Sequence, residues 1–194
     1  HLDAEGQVAE RILVDARDAV AQLLDVAGEV LGAETGVLQP RTHHGHHLGV
    51  AGELAQLINS ARQEVVIVSA YLIPTPTITA VLRNAAQRGV SVRILTNSIN
   101  SNNHVSAYAA YRTHVAELMN FGTQIHELRA DGKGRSRYIL PPISEKKLGL
   151  HAKYMIVDGS RVFVGSSNLD PRSLRINTEI GLVVESRALS ERLL

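Results

Sequence analysis

The residues best suited to chemistry lie in one stretch, His151-Ala152-Lys153-Tyr154-Met155-Ile156-Val157-Asp158, which continues through Arg161-Val162-Phe163-Val164 to Gly165-Ser166-Ser167-Asn168. The apolar run predicts a strand. Residues two apart on a strand share a face, so His151 and Lys153 point the same way while Ala152 points opposite. An imidazole and an ammonium are thereby presented together. Asp158-Gly159 is a tight-turn dipeptide, so the second apolar run returns as the hairpin partner. Gly165-Ser166-Ser167-Asn168 begins where that partner runs out; small residues there allow close backbone approach, and Asn168 has amide hydrogens to donate. Such a set of groups suits an anionic phosphoryl oxygen.

His151-x-Lys153-x4-Asp158 followed by Gly165-Ser166-x-Asn168 resembles the HKD signature of the phospholipase D superfamily. The likeness spans residues 52–187. Ser69-Ala70-Tyr71-Leu72-Ile73-Pro74, Arg88-Gly89-Val90-x-Val92-x-Ile94-Leu95-Thr96-Asn97-Ser98, Tyr111-Arg112 and Asn168-Leu169-Asp170-Pro171-Arg172-Ser173 are similar to the C-terminal half of bacterial cardiolipin synthases of the C type. Tyr108 and His104 depart from that pattern, at positions that bear on acceptor and headgroup preference.

In the superfamily the motif His attacks a phosphodiester phosphorus, giving a phosphohistidine, and the His of a second motif protonates the leaving alcohol. Water or another alcohol then releases the product. The resemblance therefore implies that His151 is one of those two histidines, that Lys153 and Asn168 bind non-bridging oxygens, and that Ser166 assists. A covalent intermediate divides one high barrier into two lower ones. Asp158 completes the motif as a catalytic residue or serves only its hairpin. Glu179, 28 positions after His151, stands where the superfamily carries the carboxylate that orients the imidazole; the alternative is a surface Glu on a strand edge. Tyr71 and Asn97 are implied substrate-binding residues. Arg172 binds a second phosphate or pairs with a neighbouring acid.

The function implied is phosphatidyl transfer between phospholipids, making cardiolipin, as one half of a two-motif enzyme. Its partners would be a phospholipid substrate, a missing N-terminal half or a homodimer mate, and the membrane surface, at the cytoplasmic face of the bacterial inner membrane for the full-length protein. Because His104, His114 and His126 lack Lys and Asn companions, one copy supplies a single motif histidine. The alternative is a homodimeric phosphodiesterase or endonuclease, since some single-motif members are homodimeric nucleases. Lys133, Arg135, Arg137, Lys146 and Lys147 could contact phosphates, but two Phe, five Tyr and no Trp leave little for base stacking, which disfavours a nucleic acid partner. An inert module is a third reading, against which the intact motif argues. No metal or cofactor is expected, because Lys153 and two imidazoles handle charge and protons.

These groups need a scaffold, and the periodicity supplies one. Helical periods at 54–62, 77–87 and 105–120 alternate with apolar runs at 64–70, 91–96 and 124–128, and strands at 152–158, 161–165 and 179–185 follow. This predicts an α/β fold, with a mixed, largely parallel β-sheet covered by helices on both faces. His151, Lys153, Asn168 and Glu179 are expected to converge on one pocket at the sheet's edge. Residues 129–149 read as a long loop, of which 131–149 is expected to be mobile until an anionic headgroup orders it.

Composition narrows the rest. Zero Cys among 194 residues excludes a disulfide scaffold, a thiolate nucleophile and Cys-ligated metals. The net charge of +1 conceals −6 over residues 1–34 and +7 over 35–194, so the body is basic. Residues 4–31 carry an amphipathic helical period with an acidic polar face, unsuited to a membrane surface. Three parts are expected: the acidic helical segment 1–34, a linker 35–51, and a catalytic half-domain 52–194. His43, His44, His46 and His47 fall in the linker, where flexible polar chain is the reading preferred over a metal site. No apolar run approaches the ~18 residues of a spanning helix. The chain opens on His1 and ends in Glu191-Arg192-Leu193-Leu194, which reads as the opening of a helix, so a fragment of something longer is expected.

Overall fold

The computed structural model describes residues 49–132, 141 and 148–194. The amphipathic segment 4–31, the histidine cluster His43–His47, and most of the 131–149 loop with its five basic residues lie outside the described residues.

Each element follows from local chemistry. Helix α1 (Val50–Ser60) buries Leu54 and Ile58, one turn apart; it begins inside the stretch read as linker, because Val50 and Ala51 already pack on the core. Strand β1 (Glu64–Ser69) is buried on both faces along Glu-Val-Val-Ile-Val-Ser, as a central strand must be. Helix α2 (Pro76–Gln87) starts with Thr75 as N-cap and Pro76 in the first turn, where a missing N–H costs nothing. Strand β2 (Ser91–Asn97), helix α3 (Val105–Asn120) and strand β3 (Gln124–Leu128) complete the alternating part. Strands β4 (Lys153–Val157) and β5 (Arg161–Gly165) form the hairpin. Asp158 and Gly159, both at positive φ, make its turn, closed by a 3.2 Å bond from Ser160 N–H to the Val157 carbonyl. The five-residue helix α4 (Pro171–Arg175), too short to show a period, is held by Asp170 at its N-cap and Pro171 at its first position. Strand β6 (Gly181–Glu185) and helix α5 (Arg187–Leu193) follow.

Among the described residues the strands form one sheet in the order β3-β2-β1-β4-β5-β6. The β1–β2 and β2–β3 pairs are parallel, while β1–β4, β4–β5 and β5–β6 are antiparallel. The sheet is mixed as expected, with β1, β2, β3 and β5 running one way. One face, with Val65, Ile67, Ile94, Met155 and Phe163, packs under α1 to α4. The other, with Val66, Val68, Leu95, Tyr154 and Ile156, is covered by Leu189 and Leu193 of α5.

Asp158 fastens one end of the hairpin. Its carboxylate accepts from the backbone N–H groups of Arg62, Gln63 and Glu64 at 2.8–3.1 Å and from the Arg161 guanidinium at 3.3 Å. Partial burial alone would raise its pKa; the three N–H donors and Arg161 outweigh burial and hold it below the usual carboxylate value. The catalytic expectation for Asp158 is thereby corrected. It lies five residues beyond Lys153, roughly 16 Å along the strand, and its oxygens are occupied by the α1–β1 connection. Because its folded pKa is depressed, its contribution to stability is complete above about pH 4 and fades as pH falls through the folded value. Asn tolerates positive φ, so Asp158→Asn isolates the charge. Chemical denaturation should find the variant about 1–3 kcal/mol less stable at pH 7, with the gap closing below about pH 4.

Candidate active site

The site is assembled where β1, β2 and β5 reach their carboxyl ends and β4 begins. It lies at the end of the sheet beside its central strands, because β4 is inserted antiparallel next to β1 and its first residue, Lys153, pairs with Ser69, the last of β1. Ser69 is 2% exposed; its hydroxyl donates to the Tyr71 carbonyl at 2.8 Å and accepts from Leu169 N–H at 3.1 Å. Ile73 N–H donates to the Leu169 carbonyl at 2.6 Å. These bonds lay the Gly165–Asp170 segment along residues 69–73 and so bring Asn168 to the start of β4.

His151 is exposed and has a direct route to solvent. Partly buried Lys153 donates from Nζ to the His151 carbonyl oxygen at 2.7 Å. The neighbouring ammonium, with some burial, holds the imidazole below the usual histidine pKa and so favours its neutral form. Burial lowers the pKa of Lys153 itself, partly opposed by the carboxylates of Glu179 and Asp170.

Glu179 accepts a short hydrogen bond from Ser166 Oγ and a 3.2 Å bond from Asn177 Nδ2. The Ser166 bond lowers its pKa most; burial acts the other way, and Asn177 and Lys153 add to the lowering. Ser166 Oγ in turn accepts from Ile180 N–H at 3.0 Å. Glu179 therefore meets the site through Ser166 and through its charge at Lys153; among the described residues no hydrogen bond joins it to the His151 ring. Gly165 lets β5 close on this corner, since a Cβ there would lie 2.6 Å from the Ile180 carbonyl oxygen.

Asn97 is placed differently from the substrate-binding role expected of it. It is 3% exposed. Its Nδ2 donates to the carbonyls of Ala70 (3.0 Å) and Leu150 (2.9 Å), and its Oδ1 accepts from Leu150 N–H at 2.8 Å. Every hydrogen-bonding group of this amide but one lone pair is spent on backbone, so Asn97 holds the residue before His151 against β1 and β2: a positioning residue.

Tyr71, Arg172 and Asn168 line a neighbouring cleft of about 500 Å³ with Ile73, His104, Ser106, Ala107, Asp170, Ser173 and Asn177. Tyr71 donates from its hydroxyl to Asn103 Oδ1 at 2.7 Å, and its ring centroid lies 5.8 Å from that of His104. Asn168 is 9% exposed, and its Oδ1 has no hydrogen-bond partner in the described structure. Lys153 lies behind this wall, lining a much smaller gap with Ser167 and Leu169. The four expected residues thus gather around one corner, Asn168 lining the larger cleft and Lys153 the smaller gap. Sequence reasoning passed over Ser69 and Asp170, although Asp170-Pro171 carries a helix-start signal. Among the described residues no group of His, Asp and Glu is placed to hold a metal ion.

An imidazole and an ammonium at the head of one strand, with a carboxylate-bound serine and a buried asparagine arriving from the next, match a known pattern. Residues 54–194 fit the family model described as "Cardiolipin synthase, PLD-like domain". The chain belongs to that family. This PLD-like domain is 34% identical over 139 residues to cardiolipin synthase C of Escherichia coli (strain K12), a match covering 71% of this chain and 29% of that protein. It is 29% identical over 153 residues to cardiolipin synthase B of Salmonella typhi, covering 79% and 32% respectively. The matched stretch thus spans less than a third of either relative. In structure the PLD-like domain resembles Nuc of Salmonella typhimurium, a phospholipase D family member, with TM-score 0.51 and 25% identity, over 72% of this chain and 78% of that one. Phosphatidylserine synthase of Haemophilus influenzae shares the fold, with TM-score 0.52 and 15% identity, over 70% of this chain and 31% of that one.

If the Lys153 charge is what depresses the His151 pKa, Lys153→Met should return the imidazole upward toward about 6.5. NMR titration of the imidazole Hε1 resonance reads this directly; an unmoved midpoint would assign the depression to burial.

Proposed function

We propose that this PLD-like domain is one half of a phosphatidyltransferase that joins phospholipids into cardiolipin, acting at the cytoplasmic face of the bacterial inner membrane. The observation that carries the reading is the exposed His151 beside the Lys153 ammonium, in a chain similar to cardiolipin synthase C. No described helix is long and apolar enough to cross a membrane, so this portion would meet lipid headgroups from the side of water.

In this reading an imidazole nitrogen attacks the donor phosphorus as the bond to the leaving alcohol breaks. The leaving oxygen takes a proton from the imidazolium of the second motif, supplied by the rest of a longer chain or by a second copy. The hydroxyl of an acceptor lipid then attacks the phosphohistidine, the P–N bond breaks, and the acceptor's proton returns to the second imidazole. His151 is one of these two histidines. Lys153 and Asn168 face the non-bridging oxygens, where charge builds in the transition state. Glu179 keeps Ser166 and Lys153 in place.

A second reading has one observation in its favour: the likeness to Nuc takes in most of that chain, so a domain of about this size makes up most of a phospholipase D family member. Two copies of this chain related by a two-fold axis would then face their His151 residues across one phosphodiester.

The full-length protein carrying His151→Ala, assayed on phosphatidylglycerol vesicles, should lose cardiolipin formation by roughly four orders of magnitude or more. Trapping a phosphatidyl adduct on His151 by rapid quench and mass spectrometry would distinguish the nucleophile from the acid. Near-native transfer by the Ala variant would falsify the mechanism.

A further inference from the structure

The cleft beside the catalytic corner holds groups that the transfer chemistry itself does not use. Arg172 is exposed, and its side chain donates from Nε to Asn177 Oδ1 at 3.4 Å. Among the described residues it forms no ion pair, so its charge is uncompensated by direct contact. His104 stands across the cleft at the N-cap of α3, with no side-chain cap bond. The first intrahelical bond of α3 runs from Tyr108 N–H to the His104 carbonyl. The N–H groups of Ser106 and Ala107, residues that line the cleft, therefore have no acceptor within the helix. The carboxylate present, Asp170, is occupied: it accepts from Arg172 N–H at 2.9 Å, Ser173 N–H at 3.0 Å and Ser173 Oγ at 3.2 Å. Asn168, nine-tenths buried and with an unpartnered amide oxygen, forms the wall shared with the catalytic corner.

A guanidinium, an imidazole and the positive end of a four-turn helix converging on one polar cleft form an anion site. The catalytic phosphoryl group already has Lys153. A second anion so close to it belongs to a substrate with two phosphates in the reacting complex, the second carried on the alcohol that receives the phosphatidyl group.

We propose that the cleft between Arg172, His104 and the start of α3 is an acceptor subsite, which binds the phosphate of the acceptor phospholipid and aims its free hydroxyl at the phosphohistidine across Asn168. This rests on the phosphatidyl-transfer reading and adds to it the means of preferring a phospholipid over water or a simple alcohol as acceptor. The tyrosine ring packed near His104 and fixed through Asn103 gives the subsite a rigid side.

The test uses the full-length protein in vesicles of phosphatidylglycerol with labelled glycerol added. Cardiolipin reports transfer to a phosphate-bearing acceptor; labelled phosphatidylglycerol reports transfer to an uncharged one. Arg172→Gln should lower the ratio of cardiolipin to labelled phosphatidylglycerol about tenfold, the loss of one charge-assisted contact, and Arg172→Lys should lower it less. His104→Gln carries the same readout should Arg172→Gln be inactive with both acceptors. An unchanged ratio in both Gln variants, or loss with both acceptors in both, overturns the subsite. Labelled glycerol 3-phosphate as a third acceptor separates a soluble phosphate from a lipid-borne one; its use in preference to phosphatidylglycerol would overturn the lipid assignment. If the wild-type protein incorporates labelled glycerol but forms no cardiolipin, the subsite fails alone; if it forms neither product, the transferase reading fails with it.

Discussion

The antiparallel seam between β1 and β4 is the constraint on which everything else rests. It places Lys153 opposite Ser69, and with that pair it decides which side of the sheet receives the ammonium. Side chains on a strand alternate with period two, so a slip of one residue would turn Lys153 and Met155 to the α5 face and bury Tyr154 under the wrong helices. Two polar clasps stand guard at its ends. At one, the Asp158 carboxylate gathers three consecutive backbone N–H groups ahead of β1. At the other, the Asn97 amide grips Leu150 from both sides. Both are strong because both are partly or wholly withdrawn from water and leave few hydrogen-bonding groups unmatched.

The electrostatics of the corner follow from this geometry. Lys153 is brought in from solvent at the cost of part of its hydration, and the carboxylates of Glu179 and Asp170 offset some of that cost. Its field in turn disfavours protonation of His151. In the proposed mechanism one cation thus performs two tasks: it disfavours the protonated, unreactive imidazole and offers a charge to the non-bridging oxygens on the phosphorus that the imidazole attacks. Glu179 is kept ionised by Ser166 and Asn177, so it remains a fixed negative counterweight that does not compete for the proton.

What could be read from the chain was local or periodic. The alternation of apolar runs with helical periods placed most strands and helices within one or two residues, and the His151–Lys153 pair showed itself through its spacing and the motif it resembles, although β4 begins only at Lys153. What could not be read depends on contacts between distant residues. Asn97 sits 53 positions from Leu150, and Asp158 lies 94–96 positions from the N–H groups it binds. Neither amide nor carboxylate differs in type from one that would meet a substrate. Only the fold shows that their hydrogen-bonding capacity is already committed. Helix α4 escaped for another reason, since five residues are too few to display a period and its evidence was a cap. The position of the site beside the central strands likewise depends on where β4 inserts, which no local pattern encodes.

The β4–β5 hairpin carries its structural anion in the turn and leads, at its open end, to the site. Distance of that order across a dense, mostly apolar strand pair leaves the two ends weakly coupled in energy. A lineage, or an engineer, can therefore alter the robustness of the domain at the turn without disturbing the groups at the open end, and can vary the cleft beside α4 without loosening the seam. Durability at the turn and the make-up of the cleft become properties that can be adjusted separately, because they belong to different stretches of chain.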